Sequence, residues 1–501
     1  MATISVDGKE IQVRENALLI EELLSNDINI PHFCYHPALG KDGNCRMCMV
    51  EIEGKKRPQI ACDTPVKDGM IIRTKGKNIE NVKRSILELE LINHPIDCPI
   101  CDQAGECALQ NYYMDVGLYS SKLKTPKTRG KKHVDLGSNV MLDQERCILC
   151  TRCIRFTKNI TKTDELGVVS RSDHSVISTF AGHPLSNPYA MNVVDLCPVG
   201  ALTSKDFRFH KRVWFLKSDN AICNRCAKGC AIFVDHHKAK YEQDDIFRYR
   251  PRFNALVNGY FICDAGRLSY KDENENRKSL PSIRGNDCEY EYAMLKILRL
   301  LKHNQSKAAF IISASLSLEE IVLIKKLANK YNATLDAYDH NYNEQFGDDF
   351  LRKSDLASNR NGLKALHVSC DETLMNEHIA QADLLLFVGY SDLSSFDCTH
   401  KTVLGLSQNI PKKKDDFAVF LPFKTHTSKA GSYINADWYL QFSQAEIAYA
   451  NETKNLIELC CFYKEIASMD VEQIWQNELQ AYFPHVNFQQ LRKNSIKIES
   501  L

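Results

Sequence analysis

The chain has 501 residues, enough for several domains with separate cores, and its 64 Lys+Arg nearly cancel its 63 Asp+Glu. That balance gives no sign of a nucleic-acid or polyanionic partner, and no run of 18 apolar residues marks a membrane-spanning helix. The outlying number is 20 cysteines; because the chain opens on "TISVDGKEIQV" with no basic and apolar leader pattern, metal binding in a cytoplasmic setting is expected rather than disulfides.

The first residues read as two short alternating strands joined by Asp7-Gly8, a strong hairpin signal, and then a helix, "ALLIEELL". This predicts a small ferredoxin-like α/β domain. On it Cys34, Cys45, Cys48 and Cys62 are spaced C-x10-C-x2-C-x13-C, with Gly40, Gly43 and Asn44 giving the loop freedom to wrap around a group. The spacing resembles that of a [2Fe–2S] site but departs from the plant-type pattern, and zinc is the alternative.

Residues 78–93 place Ile79, Val82, Ile86 and Leu89 at helical spacing, and Pro95 predicts that the helix stops at His94. A second donor group follows, His94, Cys98, Cys101 and Cys107. Zinc on three thiolates and one imidazole fits the spacing, as does a [4Fe–4S] cluster with one imidazole ligand. The basic run "SKLKTPKTRGKK" (121–132) reads as a solvated loop or as a docking surface for a partner.

The third group is "ERCILCTRCIRF", with Cys147, Cys150 and Cys153 spaced C-x2-C-x2-C. Where a bacterial ferredoxin run has a fourth cysteine before proline, this chain has Thr157, and Cys197-Pro198 supplies that cysteine far downstream. One triad and one distant Cys-Pro make a single [4Fe–4S] site. The fourth group, Cys223, Cys226, Cys230 and Cys263, is again read as a [4Fe–4S] site, with zinc as the alternative.

Beyond about residue 290 strands and helices alternate. "AAFIISA" (308–314), "ADLLLFVGY" (382–390) and "DDFAVFLPF" (415–423) read as buried parallel strands, and Ser317 with Glu320 makes a capping-box pattern ahead of a helix. The five cysteines here, Cys288, Cys370, Cys398, Cys460 and Cys461, read as ordinary buried or semi-buried residues. "FVGYSD" is a weak phosphate-loop lookalike, and without GxGxxG a nicotinamide site is unsupported. Four adjacent donor groups with no nucleophile or base constellation suggest an electron wire with no catalytic residues of its own.

In order, spacing and the single histidine, the front 270 residues resemble the large iron–sulfur subunit (G-type, or 75 kDa, family) of respiratory complex I, NADH:quinone oxidoreductase. The resemblance implies one [2Fe–2S] and three [4Fe–4S] clusters that carry electrons from a flavin-bearing subunit toward quinone, the fourth lying off the main path. Residues 1–77 would be a β-grasp [2Fe–2S] domain, 78–120 the histidine-ligated [4Fe–4S] segment and 121–215 the all-cysteine one. Residues 216–275 would open a molybdopterin-oxidoreductase-like domain that continues, shortened and non-catalytic, through 276–501. "DDFLRKSDLASNRNGLKAL" and "FLPFKTHTSKAGSYINADWYLQFSQA" resemble its recurring segments. A molybdenum ligand has no clear equivalent, Cys288 being the nearest candidate. The implied partners are the flavin subunit and other peripheral-arm subunits, on the cytoplasmic side of a bacterial inner membrane, with contact to the membrane only through the complex. A relay subunit of an NAD-linked hydrogenase, a formate-dehydrogenase-like catalytic chain and a zinc-stapled scaffold are the competing readings.

Overall fold

A computed structural model describes all residues except 173, 241, 339–340, 449–452, 463–468 and 500–501, and only the backbone of 461–462. The chain divides into two compact units, Met1–Phe215 and Leu216–Leu501. Each is mixed α/β, and together they carry several separate sheets.

The first unit opens on the expected hairpin. Strands Ala2–Val6 and Lys9–Val13 pair antiparallel, and both turn residues take positive φ (Asp7 50°, Gly8 86°), as a two-residue primed turn requires. Ile71–Arg73 pairs parallel to the first strand, and Met49–Ile52 and Gln59–Ile60 complete a five-stranded sheet. Ile4, Val6, Ile11 and Val50 on one face bury Leu19, Ile20 and Leu23 of the helix Leu19–Ser25. This core holds up the loop that carries Cys34, Cys45 and Cys48.

The next helix spans Lys77–Glu90 and ends four residues before His94. The proline therefore does not act as its stop; residues 91–94 turn instead, with the Leu91 N–H still bonded to Leu87 O. Its buried residues are Ile79 and Leu87, whereas Leu89, placed on the apolar face by the periodicity, is 67% exposed. Short elements follow: the helix Ala108–Asp115, a three-stranded sheet of Val134–Gly137, Val140–Leu142 and Leu202–Ser204, and a hairpin of Leu166–Val169 with Val176–Thr179.

The second unit begins with an antiparallel sheet of Lys217–Ile222, Ala231–Lys238 and Asp244–Pro251. Beyond it lies a seven-stranded sheet, in the order Asn286–Asp287, Ser282–Ile283, Val419–Pro422, Thr402–Ser407, Leu384–Val388, Ala308–Ser313 and Thr334–Tyr338. The last five are parallel; Ala308–Ser313, Leu384–Val388 and Val419–Pro422 fall in the three predicted apolar runs, and Thr334–Tyr338 and Thr402–Ser407 join them. Alternation divides their side chains cleanly. Phe310, Ile312, Leu384, Leu386, Leu404 and Leu421 enter one apolar cluster, and Ala309, Ile311, Leu385, Phe387, Val403 and Phe420 enter another. The first is covered by helices Tyr290–His303 and Leu318–Lys330, the second by Glu372–Gln381, so helices cover both faces of the parallel strands.

Between helix Leu318–Lys330 and strand Gly431–Ile434 runs a buried polar seam. The capping box forms as the sequence predicts, with Glu320 N–H donating to Ser317 Oγ at 3.3 Å and Ser317 N–H donating to Glu320 at 3.0 Å. Lys429 pairs with the other oxygen of Glu320, while Glu319 accepts from Ser432 N–H (2.9 Å) and Trp475 Nε1 (2.9 Å). Glu273 is also buried, 3.1 Å from His426, and accepts from the Thr427 hydroxyl. Burial acts to raise its pKa, but His426 and the threonine hydroxyls outweigh it and hold the carboxyl down at about 2.

A carboxyl depressed in the folded state adds stability above its unfolded pKa of about 4.5 and loses it as pH falls toward 2. The melting temperature of Glu273→Gln should therefore lie below wild type at pH 7, and the gap should narrow between pH 4.5 and 2. A gap that does not change with pH, followed through tryptophan fluorescence, would contradict this.

Candidate metal centres

All four predicted donor groups are gathered by the fold, and every described cysteine is a free thiol. In the first, Cys34, Cys45, Cys48 and Cys62 are at most 9% exposed. Cys34 N–H points at Cys45 Sγ (3.5 Å), and Ala61 N–H bonded to Cys48 O (2.9 Å) brings the Cys62 turn alongside. Hydrogen bonds from Cys45 and Cys62 lower the Cys34 thiol, and the one from Cys62 lowers Cys48. Gly40 (φ 68°) and Gly43 (φ 74°) take the left-handed turns their identity suggests, with Arg46 (φ 54°) as a third. Asn44 serves differently: its Nδ2 donates to Leu149 O at 3.1 Å and ties this loop to the third group.

His94, Cys98, Cys101 and Cys107 line one small enclosed cavity with Tyr113 and Gly200. Burial pushes the imidazole down to about 4; Asp97 opposes this, and Lys127, Arg146 and Lys132 add to it. The ring is therefore neutral near pH 7, the form that can ligate a metal, and its Nδ1 is buried with no hydrogen-bond partner. Burial also pushes Cys107 up to about 11. A Cβ at Gly200 would overlap Cys101 Sγ, so glycine is what lets that thiol occupy its place.

The basic run beside this group is not simply solvated. Lys127 donates to Leu91 O (2.8 Å) and His94 O (2.6 Å), clamping the turn that presents the imidazole. Lys132 reaches Asp97 (3.3 Å), Asp143 (3.4 Å) and Glu145 (2.7 Å), and Arg146 pairs with Asp97 through Nε (3.1 Å) and Nη2 (2.7 Å).

Cys147, Cys150, Cys153 and Cys197 line a second enclosed cavity. The C-x2-C-x2-C loop closes through left-handed residues at Leu149 (φ 51°) and Thr151 (φ 62°), neither of them glycine, a conformation that costs about 1–2 kcal/mol each. Burial pushes Cys147 and Cys150 up to about 12 and Cys153 and Cys197 upward as well. Such thiols keep their protons until a metal takes the protons' place. Thr157 is buried and bonds to Ile154 O.

The second unit holds Cys223, Cys226 and Cys230 in the connection between the first two strands of its antiparallel sheet and Cys263 ahead of the helix Asp264–Leu268, all 5–7% exposed. Cys223 N–H donates to Cys230 O at 2.8 Å, closing the CNRCAKGC loop. A Cβ at Gly266 would stand 3.0 Å from Cys223 Sγ and 3.3 Å from Cys263 Sγ, so a small residue keeps both sulfurs in one pocket. Burial raises Cys223 and Cys230 and takes Cys263 to about 11.

The donor sets, the orphaned His94 nitrogen and the two glycine-cleared thiol positions fit iron–sulfur groups. Among the described residues no three His, Cys, Asp or Glu side chains converge tightly enough to grip a single ion. Cys288 and Cys370 pack against one apolar cluster of the seven-stranded sheet, Cys398 packs against the other, and Cys460 is 2% exposed. The Cys461 side chain lies outside the described residues. The "FVGYSD" turn is filled by its own tyrosine, since Tyr390 OH donates to Ile312 O and Tyr338 O, each at 3.0 Å.

Sequence reasoning missed the residues that join the groups. Arg152 and Arg155 stand on either side of Cys153 in the helix Arg152–Arg155. Arg152 donates to Tyr35 O (2.5 Å) and Leu196 O (3.2 Å), and Arg155 donates to Cys34 O, Leu39 O (3.1 Å) and Gly40 O (2.9 Å). Ala108 N–H bonds to Pro198 O at 3.0 Å, so the second and third groups share a wall. Two arginines inside "CTRCIRF" were the available signal: charged residues where a buried loop has little room for them.

Three family models match the front of the chain: a 2Fe-2S iron-sulfur cluster binding domain over residues 1–77, the NADH-ubiquinone oxidoreductase-G iron-sulfur binding region over 83–122, and the ferredoxin-like domain of NADH-quinone oxidoreductase subunit 3 over 137–203. The G subunit of NADH-quinone oxidoreductase from Rickettsia felis is 33% identical over 365 residues, 71% of this chain and 54% of that one. Over this span the chain is a relative of the 75 kDa iron–sulfur subunit of NADH:quinone oxidoreductase. The corresponding G subunit from Streptomyces coelicolor is 36% identical over 58% of this chain and 34% of its own length. The NADH-ubiquinone oxidoreductase 75 kDa subunit of Reclinomonas americana is 36% identical over 67% and 48%. The match spans about half the length of these relatives or less, and the fourth cysteine group lies beyond the three matched regions. A chain of an NAD+-reducing [NiFe]-hydrogenase aligns at 30% identity over 42% of this chain and 91% of that one, with a TM-score of 0.38, too low to argue from. The front of the chain thus carries 2Fe–2S and 4Fe–4S binding regions on a mixed α/β scaffold. Among the described residues no helix is long and apolar enough to cross a membrane.

Arg152→Met removes two buried charge-assisted hydrogen bonds, each contributing about 1.5–3 kcal/mol. The full chain should unfold at lower temperature and lose metal from the first group before the fourth. Unchanged melting would mean that the guanidinium contacts hold nothing.

Proposed function

We propose that the chain is an electron-transfer subunit of a proton-translocating NADH:quinone oxidoreductase, relaying electrons from a flavin-bearing subunit toward quinone. Cys34, Cys45, Cys48 and Cys62 hold a [2Fe–2S] cluster. His94, Cys98, Cys101 and Cys107 hold a [4Fe–4S] cluster, as do Cys147, Cys150, Cys153 and Cys197, and Cys223, Cys226, Cys230 and Cys263. When bound, such clusters take up and release one electron at a time. The residues around them shut out water and set each donor's charge, which tunes the potential. A neutral imidazole at position 94 leaves that site one negative charge poorer than its all-cysteine neighbours and so raises its potential.

The observation that carries this reading is the joining of the first three donor groups inside one unit. Arg152, Arg155 and Asn44 link the first group to the third, and the Ala108–Pro198 bond links the third to the second. Within this proposal the domains are 1–77, 78–120, 121–215, 216–275 and 276–501, the last two a shortened, non-catalytic molybdopterin-oxidoreductase-like part. The partners are the flavin subunit and other peripheral-arm subunits, and the protein sits peripherally on the cytoplasmic side of the membrane.

The anaerobically purified full chain should contain about 14 irons, matching sulfide, and neither zinc nor molybdenum. Molybdenum would make it a catalytic oxidoreductase instead, and ten irons with one zinc would make one site structural. Gly200→Ala should cost about four of those irons by displacing the Cys101 thiol. His94→Cys should keep them and lower that cluster's midpoint potential; a potential that stays put would remove histidine from the ligand set.

A further inference from the structure

A cavity of about 640 Å³ opens in the second unit, walled by Tyr342, Arg352, Lys353, Arg360, Asn361 and Lys364, with Ala227 beside them. Its volume lies in the range of small-molecule sites. None of the sixteen proposed cluster ligands lines it, and nothing in the relay reading uses it.

The wall is held by backbone rather than by the basic side chains. Ala227 N–H donates to Asp355 O (2.8 Å), Ala436 N–H donates to Ala227 O (2.7 Å), and Asn361 Nδ2 donates to Asn435 O (2.8 Å). The two carboxylates on the wall are turned into the turns they stabilise. Asp348 accepts from Phe350, Leu351 and Arg352 N–H (2.9–3.1 Å) and from Arg352 Nε (2.8 Å). Asp355 accepts from Ala357 N–H (2.8 Å) and grips Arg360 through Nε (2.5 Å) and Nη2 (2.8 Å), fixing the guanidinium fork.

The remaining charge does not cancel. Lys353 lies 3.3 Å from Asp437, but that carboxylate already holds Lys228 at 2.7 Å. Lys364 is exposed and, among the described residues, has no carboxylate within ion-pair distance. Among the described residues four basic side chains and two carboxylates line the cavity, a surplus of two positive charges in a chain whose net charge is only +1. Oriented arginine forks and paired lysines suit a compact dianion with several acceptor oxygens.

We propose that this cavity binds a small phosphate-bearing anion, a phosphomonoester or pyrophosphoryl group. Arg352 and Arg360 act as oriented donors, Lys353 and Lys364 supply further positive charge, and the Tyr342 ring at the mouth can face an attached organic group.

The test is calorimetric titration of the anaerobically purified full chain with inorganic pyrophosphate and with inorganic phosphate, and with sulfate at matched ionic strength. One saturable site per chain is expected, with one of the phosphate species bound at least tenfold more tightly than sulfate. Lys364→Glu and Lys353→Glu, both at accessible positions, should each weaken binding at least tenfold without changing the melting temperature, whereas Lys413→Glu, outside the cavity, should not weaken it. No saturable heat, equal binding of sulfate and phosphate, or full affinity in both charge-reversal variants would overturn the proposal.

Discussion

The contact on which the front half depends is the grip of two arginines on backbone carbonyls. Arg152 and Arg155 flank Cys153, and their guanidinium groups reach Tyr35, Cys34, Leu39, Gly40 and Leu196. A loop of cysteines has few apolar side chains with which to fold itself, and its backbone must bend through left-handed residues. Guanidinium forks solve both difficulties. They satisfy carbonyls that no strand or helix partners, and they fix one loop against the next in a register that apolar packing alone would leave loose. Burial of Arg152 depresses its own basicity, and the nearby Cys150 and Cys197 act the other way, so the guanidinium and the sulfurs support one another.

The same logic governs the second group, with lysine in place of arginine. Lys127 clamps the carbonyls of Leu91 and His94, and Lys132 and Arg146 gather Asp97, Asp143 and Glu145. Burial keeps the His94 imidazole neutral, and the cations, which do not bond to its ring, add to that effect against Asp97, so its lone pair stays available. A thiol in that position would be drawn toward its anionic form by the same cations. The histidine and the basic run 121–132 are therefore two halves of one arrangement, in which positive charge is held beside a donor that does not answer it.

Much of this was legible in the residues. Cysteine spacing grouped residues that the fold also places near one another, because a chain can close such loops in few ways and apolar packing rarely asks for so many thiols together. Continuous apolar runs located three of the five parallel strands, since those strands have to be buried on both faces. The helix before His94 was less readable: Leu87 and Leu89 are equally apolar, and which of them is buried depends on what the helix packs against. The joining contacts were not legible either. Arg152, Gly200 and Asn44 act on residues 44 to 117 positions away, and no local pattern announces a partner at that distance.

The back half settles most of its buried charge internally. Glu320 and Glu319 of the helix Leu318–Lys330 meet Lys429 and Ser432, and Glu273 of the helix Tyr270–Asn276 lies against His426 and Thr427. A seam of this kind fixes how the strands meet the helix, because a half-paired carboxylate in that interior would cost several kcal/mol. Such pairing leaves little freedom to bind anything. The cavity beside Arg360 differs because, among the described residues, its lining carries four basic side chains and two carboxylates, and such a surplus costs self-repulsion that a bound anion would relieve.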